Sequence, residues 1–459
     1  MASVEQFKDR LGADLGDRLI TTEAGRDQYA QSEGRHRHGA PAVVAQPRTV
    51  GDVQRLVRAA AACGLPLVPY GAGTSLEGNA AATSTSLCVD LSMMNAIKEV
   101  SVADLLCVVE PGVTREQLNE DLRAEGVFFP VDPGANASLA GMISTRASGT
   151  TTVRYGGMRE NVLALKVVTA SGDLVSTGSR ARKSASGYDL THLFTGSEGT
   201  LGLIVEATLR LHGQPERIVA GSQTFPSIAA AVDTVIATIQ SGIPIARMEL
   251  LDEAAIDACN RHSGLGLAAR PTLFLEFHGS AASVDEQVEM FGAFAQAADA
   301  NPMRTAVAAE ARSALWKARH QALYAARALV PGAVTWVSDI CVPIGALADA
   351  ITRAKAGIEA AGLIAPILGH VGDGNFHVFF VLHPDDAAGW QKARAVNEAM
   401  IAHALSVGGT CTGEHGIGIG KRDAMLREHG AESIDVMRRI KQALDPQGLL
   451  NPGKIFLDA

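Results

Sequence analysis

The chain has 459 residues, 47% of them hydrophobic, and a net charge of −9 with no basic block. That length accommodates two or three domains, and the absence of clustered Lys and Arg excludes a nucleic-acid partner. No stretch reaches the roughly 20 consecutive apolar residues of a membrane-spanning helix, so no membrane span is expected.

The N-terminus mixes both charge signs without an apolar h-region, so it reads as neither a secretory signal nor a transit peptide. Six well-separated cysteines (Cys63, Cys88, Cys107, Cys259, Cys341 and Cys411) include no CxxC pair. They read as buried small hydrophobes in a reduced, cytoplasmic setting.

Along the chain, Thr49 is placed to N-cap a helix whose apolar face is Val53, Leu56, Val57 and Ala60, with Gly64 ending it. LPLVPY (65–70) reads as a buried strand that runs into Gly71-Ala72-Gly73-Thr74-Ser75-Leu76. Leu76 stands where a dinucleotide fingerprint needs its third glycine, and EGNAAATSTS is a poor helix start. The loop is read instead either as a nest of backbone N–H groups for phosphate oxygens or as a plain tight turn.

Further strands are expected at SLCVDL, LLCVVE, LALKVV and LGLIVEATLR, with a Ser171-Gly172 hairpin turn. The stretch 130–157 is too long and too rich in small residues for an ordinary connection. Gly134, Ala140, Gly141 and Gly149 permit close backbone approach to a flat ligand, and Ser138, Thr145 and Ser148 offer hydroxyls. A third polar, glycine-rich stretch occupies 186–204. Near residue 215 the texture changes to strand–helix alternations (IVAGSQTF, SIAAAVDTVIATIQ, IARMELL, PTLFLEFHG and a helix near 283–298) that resemble a ferredoxin-like αβ sandwich. The domain boundary is expected at 213–218.

LGHVGDGNFHVFFVLH (368–383) carries His370 and His377. A two-residue Asp373-Gly374 hairpin turn would set the two histidines directly opposite each other, with Cβ atoms roughly 5 Å apart on one face. They could share a metal ion or simply pack on a half-buried sheet. In GGTCTGEHGIGIGKR (408–422), Glu414 and His415 sit among glycines, where they are either a ligand-approach loop or a solvated pair. One carboxylate with two imidazoles suits Zn²⁺ or Mn²⁺.

The three small-residue stretches, in this order, resemble the FAD-binding domain of the vanillyl-alcohol oxidase/PCMH flavoprotein superfamily. GHVGDGNFH, GGTCTGEHGIGIGK, WKARHQALYAA (316–326), SDICVP (338–343) and LDPQGLLNPGK (444–454) are similar to its metal-dependent D-2-hydroxyacid dehydrogenases, especially the mitochondrial-type D-lactate dehydrogenases. The resemblance covers nearly the whole chain. It implies an α+β protein with a PCMH-type FAD-binding domain over 1–215 and a ferredoxin-like αβ substrate or cap domain over 216–405. A C-terminal helical segment, 406–459, returns to the flavin.

Carried onto this sequence, the resemblance implies FAD contacts from Pro69, Gly71, Ala72, Gly73, Thr74 and Ser75. Pro133, Gly134, Ser138, Gly141, Thr145, Ser148 and Gly149 would line the flavin, with Glu198, Gly199, Ile204 and Asn451 beside them. The first loop lacks the histidine through which many relatives hold FAD covalently, so the flavin is expected to be non-covalent. The resemblance makes His370, His377 and Glu414 metal ligands, His415 the catalytic base, and Arg319 the group that grips the substrate carboxylate. Val337 stands near the position where the D-2-hydroxyglutarate enzymes have a lysine for a second carboxylate, which implies a monocarboxylic substrate.

The implied reaction is FAD-dependent oxidation of D-lactate, glycolate or another small D-2-hydroxy acid. Electrons would pass to an external acceptor: cytochrome c, a quinone or an electron-transfer flavoprotein. The setting would be cytoplasmic or peripheral to the inner membrane. A zinc-dependent hydrolase using His370, His377 and Glu414 is the rival, and it requires a colourless protein.

Overall fold

The computed structural model describes residues 2–36 and 38–457. These form two compact units, each built from non-contiguous pieces of chain: 1–147, 157–214 and 414–459 in the first, 148–156 and 215–413 in the second.

The first unit holds two main sheets. Strands β1 (Leu19–Ile20), β2 (Val43–Ala45), β3 (Leu67–Tyr70) and β4 (Leu87–Asp90) form a sheet in the order β1-β2-β4-β3, with β2, β4 and β3 parallel. Parallel neighbours need a crossover. The helix Val50–Cys63 supplies it between β2 and β3. The Thr49 hydroxyl accepts from the Asp52 amide at 3.1 Å, and Gly64 ends the helix at φ 61°. Its buried face is Val53, Leu56, Val57 and Ala60, as the periodicity predicts.

Strands β5 (Ile97–Ser101), β6 (Leu106–Val109), β8 (Val162–Val168), β9 (Leu174–Gly178) and β10 (Leu203–Arg210) make an antiparallel sheet in the order β5-β6-β10-β8-β9. The short strands β7 (Val127–Phe128) and β11 (His212–Gly213) pair separately. The β8–β9 hairpin turns at Ser171-Gly172. One apolar core joins Leu56, Leu67, Leu87, Val205 and Leu450, so the end of the chain is packed into its beginning.

In the second unit, β12 (Arg217–Thr224), β13 (Ile245–Leu251), β14 (Thr272–Gly279), β15 (Arg304–Ala306), β16 (Val334–Val337), β18 (Ile367–Gly369) and β19 (Asn375–Leu382) form one antiparallel sheet. Its order is β15-β12-β14-β13-β18-β19-β16, and β17 (Ile340–Cys341) also pairs with β19. The helix Ala281–Ala297 covers the apolar side of β14, where Phe291 meets Phe277 at 5.8 Å. The side chains that alternate with these, Phe274, Glu276 and His278, point to the other face, which the helix Ala309–His320 covers. Helices on a largely antiparallel sheet make this an α+β protein. No described helix is long and apolar enough to cross a membrane. None of the six cysteines is in a disulfide.

Two local expectations are corrected. The stretch 130–157 is not all loop, because Leu139–Thr145 and Thr152–Tyr155 are helical. Small residues with weak periodicity conceal so short a helix. The β18–β19 connection is a four-residue turn rather than a two-residue one. Val371–Asp373 takes a helical turn, closed by Asp373 N donating to His370 O at 3.0 Å. His377 therefore faces Leu368, and His370 lies two residues further along. A register displaced by two residues leaves both side chains on the same face, so the histidines still meet.

Candidate functional site

In the first unit the three small-residue stretches converge. A Cβ on Gly71 would lie 2.2 Å from Ser138 Oγ, and one on Gly199 would lie 2.3 Å from Pro69 Cγ. Gly196 N donates to Ile143 O (2.9 Å) and Glu198 N to Ser144 O (2.8 Å), which ties the third stretch to the second. Gly71, Gly73, Thr74 and Ser75 are half-buried and Ala72 is exposed. Ser75 Oγ is a buried hydroxyl without a hydrogen-bond partner among the described residues, as expected of a group reserved for a ligand.

The remaining expected contacts are less uniform. Pro133 is half-buried and Gly134 exposed. The Thr145 hydroxyl donates back to Gly141 O at 3.3 Å. Ile204 packs into the apolar core. Ser148 and Gly149 fall in the short segment grouped with the second unit.

Glu198 and Asn451 have structural work of their own. Asn451 Nδ2 donates to Glu198 O (2.6 Å) and Asn79 O (2.8 Å), and its amide donates to Leu67 O (2.7 Å). The Glu198 carboxylate accepts from Asn79 Nδ2 (2.7 Å), Ile417 N (2.7 Å) and Gly418 N (2.9 Å). Burial pushes this carboxyl up, against the pull of those donors. The glycine-rich segment that carries His415 is therefore fastened by its backbone to the loops around Asn79 and Glu198. Lys421 of that segment and His36, from near the N-terminus, face Glu77 at 3.6 and 3.3 Å. Burial acts to raise Glu77, but these two partners outweigh it and hold the carboxyl low.

Lys454 is buried, with Nζ donating to Ala81 O (2.8 Å) and Pro452 O (3.2 Å). Burial drives its pKa down to about 8. An unfolded lysine titrates near ~10.4, so between these values the unfolded chain binds more protons and folding stability rises with pH. Below about pH 8 the lysine is charged in both states and that gain is absent. Lys454→Met is expected to remove a rise of about 2–3 kcal/mol between about pH 7 and about pH 10, read by urea unfolding at the two pH values.

In the second unit, Trp316 and Arg319, one turn apart on the helix Ala309–His320, each reach a buried carboxylate on the sheet. Trp316 Nε1 donates to Glu276 Oε2 (2.6 Å), and His278 Nε2 lies 2.8 Å from Glu276 Oε1. His278 Nδ1 is 2.7 Å from Tyr155 Oη. Arg319 Nε (2.9 Å) and Nη2 (2.6 Å) both meet Glu249 Oε2. Glu249 Oε1 is in turn 2.7 Å from His370 Nδ1.

His377 Nδ1 is 3.1 Å from Ser338 O, and the two imidazole centroids are 5.4 Å apart at 85°. A neutral ring whose Nδ1 donates to an acceptor carries its lone pair on Nε2, the tautomer in which an imidazole ligates a metal. Asp339 accepts from Asn375 Nδ2 (2.8 Å), Thr412 Oγ1 (2.7 Å) and Gly413 N (2.8 Å). The backbone is thus anchored up to the residue before Glu414. Glu414 and His415 follow in the chain, both half-buried.

Glu249 and Asp339 are absent from the sequence reading. A carboxylate inside the apolar strand IARMELL was the available signal for Glu249, since a buried acid needs a partner.

The C-terminal model of FAD-linked oxidases matches residues 214–455, and an FAD-binding domain model matches 41–178. A protein of Danio rerio named "Probable D-lactate dehydrogenase, mitochondrial" is 47% identical across 99% of this chain and 92% of its own length. The mitochondrial D-lactate dehydrogenase [cytochrome] of Arabidopsis thaliana is 44% identical across 91% and 73%. Among solved structures, p-cresol methylhydroxylase superposes with a TM-score of 0.81 at 18% identity, over 99% of this chain and 96% of that one, which speaks to the fold alone.

These names overturn the expected cytoplasmic setting, because both relatives are designated mitochondrial and point to that compartment instead. The convergence of the three loops, the orphan Ser75 hydroxyl and the matched domain agree on FAD as the cofactor. The chain belongs to the FAD-linked oxidases, in the branch that contains the D-lactate dehydrogenases.

Proposed function

We propose that this enzyme oxidises D-lactate, or a monocarboxylic D-2-hydroxy acid of similar size, to the 2-keto acid. It would hold FAD non-covalently and pass the electrons to a cytochrome-type acceptor, as the name of the Arabidopsis relative suggests. The observation that carries the reading is the buried pair His370 and His377, face to edge at 5.4 Å, each with Nδ1 held by an acceptor. Such a pair suits a divalent cation better than core packing, since an apolar sheet face would not otherwise retain two imidazoles.

The family resemblance adds Glu414 as the third donor, and one carboxylate with two imidazoles has the composition of a Zn²⁺ or Mn²⁺ centre. When bound, FAD supplies the hydride acceptor and the cation supplies Lewis acidity at the substrate hydroxyl. His370 and His377, with Glu414 by the resemblance, would hold that cation, and His415 would take up the hydroxyl proton on its imidazole ring. The Glu198 carboxylate holds the His415 segment still through two backbone amides. Val337, a buried apolar side chain, offers no partner to a second substrate carboxylate.

The test is the visible spectrum of the purified protein under anaerobic conditions, before and after D-lactate and then L-lactate. Bleaching by the D-enantiomer alone, lost after chelation, is the expected result. A flavin spectrum untouched by either lactate would reject the substrate. A colourless protein that takes up no FAD would return the histidines to a hydrolase.

The same segment yields a sharper prediction. Gly418 has φ 49°, and a Cβ there would lie 2.1 Å from Glu77 O and 2.7 Å from Glu77 C. Backbone cannot yield as a side chain can, so Gly418→Ala must displace the loop. Turnover with D-lactate is expected to fall on the order of 10²-fold, the cost of a misplacement of about 1 Å, with flavin content unchanged.

A further inference from the structure

We propose that Glu249 and Arg319 are positioning residues for His370, an inference that rests on the metal reading above. The β13–β18 register runs Leu251 to Leu368 and Leu250 to Gly369, so the next residues, Glu249 and His370, fall beside each other. The Glu249 carboxylate is fully buried and splits its two oxygens: Oε1 faces His370 Nδ1 at 2.7 Å, and Oε2 receives Arg319 Nε at 2.9 Å and Nη2 at 2.6 Å.

A carboxylate in that position makes Nδ1 the hydrogen-bearing nitrogen and aims Nε2 at the cation. The guanidinium in turn holds the carboxylate by the other oxygen, so that it cannot rotate away. His377 Nδ1 meets the Ser338 carbonyl at 3.1 Å with the Asp339 carboxylate further off at 3.7 Å, whereas the carboxylate behind His370 is in direct hydrogen-bond contact at 2.7 Å. The chain Arg319–Glu249–His370 gives Arg319 a role exercised through Glu249, in place of the direct grip on the substrate carboxylate that the family resemblance implies.

The test uses the FAD-loaded protein, stripped of metal by a chelator and titrated calorimetrically with Zn²⁺ and with Mn²⁺. Glu249→Gln is expected to weaken metal affinity about 10–100-fold, the usual cost of losing such a partner, with flavin content retained. Arg319→Lys keeps a cation opposite Glu249 and so guards against misfolding, while losing the planar fork. Its affinity is expected to fall between those of the wild type and Glu249→Gln. An affinity equal to wild type in either variant overturns that residue's positioning role. For Arg319→Lys, a raised KM for D-lactate with unchanged metal affinity returns the arginine to the substrate. A wild-type protein that binds neither metal overturns the metal centre itself, and the positioning role with it.

Discussion

Replacing His415 by alanine is expected to slow D-lactate-dependent flavin reduction by about 10²–10⁴-fold, the range a positioned general base contributes. The imidazole is half-buried on a segment whose neighbouring amides, Ile417 N and Gly418 N, are fixed by Glu198, and its own carbonyl accepts from Asn79 Nδ2 at 3.4 Å. Alanine removes the ring without disturbing any of those backbone contacts. The variant should therefore remain yellow and folded, with its loss in kcat rather than in flavin content. Stopped-flow reduction at saturating D-lactate reads this directly. A loss below about tenfold would take the base role away from His415.

Lys441→Met is expected to produce the largest loss of stability, about 3–5 kcal/mol, because it leaves a buried carboxylate without its counter-charge. Lys441 lies in the last turn of the helix Arg422–Leu444, and its Nζ donates to Thr200 O (2.7 Å), Leu450 O (2.9 Å) and the Asp445 carboxylate. Burial lowers its pKa, with Asp445 opposing the shift. Asp445 is buried as well and also caps the Leu449 and Leu450 amides at 3.1 and 2.8 Å. Losing the lysine thus strands one charge and two carbonyls together. Urea unfolding followed by circular dichroism measures the effect. The double variant Lys441→Met, Asp445→Asn should recover part of it, since a neutral amide costs less to bury than an unpaired charge.

Local chemistry was readable in the sequence where a pattern repeats within a few residues. Thr49 and Gly64 bracket a helix by capping, and the runs SLCVDL and LGLIVEATLR are strands because their apolar density leaves no alternative. The proposed ligand pair, His370 and His377, was readable in a more limited way. Their shared face survives an error in turn length, because the side-chain period of a strand is two.

Arg319 was visible only through family resemblance, since nothing in WKARHQ separates a buried arginine from the exposed Lys317 two residues earlier. The contacts that fasten the site, such as Glu198 to Ile417 and Asn451 to Leu67, join residues hundreds of positions apart and leave no local trace. The short helix Leu139–Thr145 was hidden by the very residues, Gly141 and Ser144, that suit a ligand-lining segment.

The return of the chain to its own beginning has a consequence for biosynthesis. Leu450 is a fully buried member of the core that contains Leu56 and Leu67, and the Asn451 amide is bound by the Leu67 carbonyl. A nascent chain on the ribosome can shape much of the second unit once residue 413 has emerged, but its first unit must wait with an open apolar seam until residues 414–459 have followed. Cofactor capture would be deferred until residues 414–459 have emerged, and a product truncated before residue 450 would be aggregation-prone material for a chaperone rather than a slow enzyme.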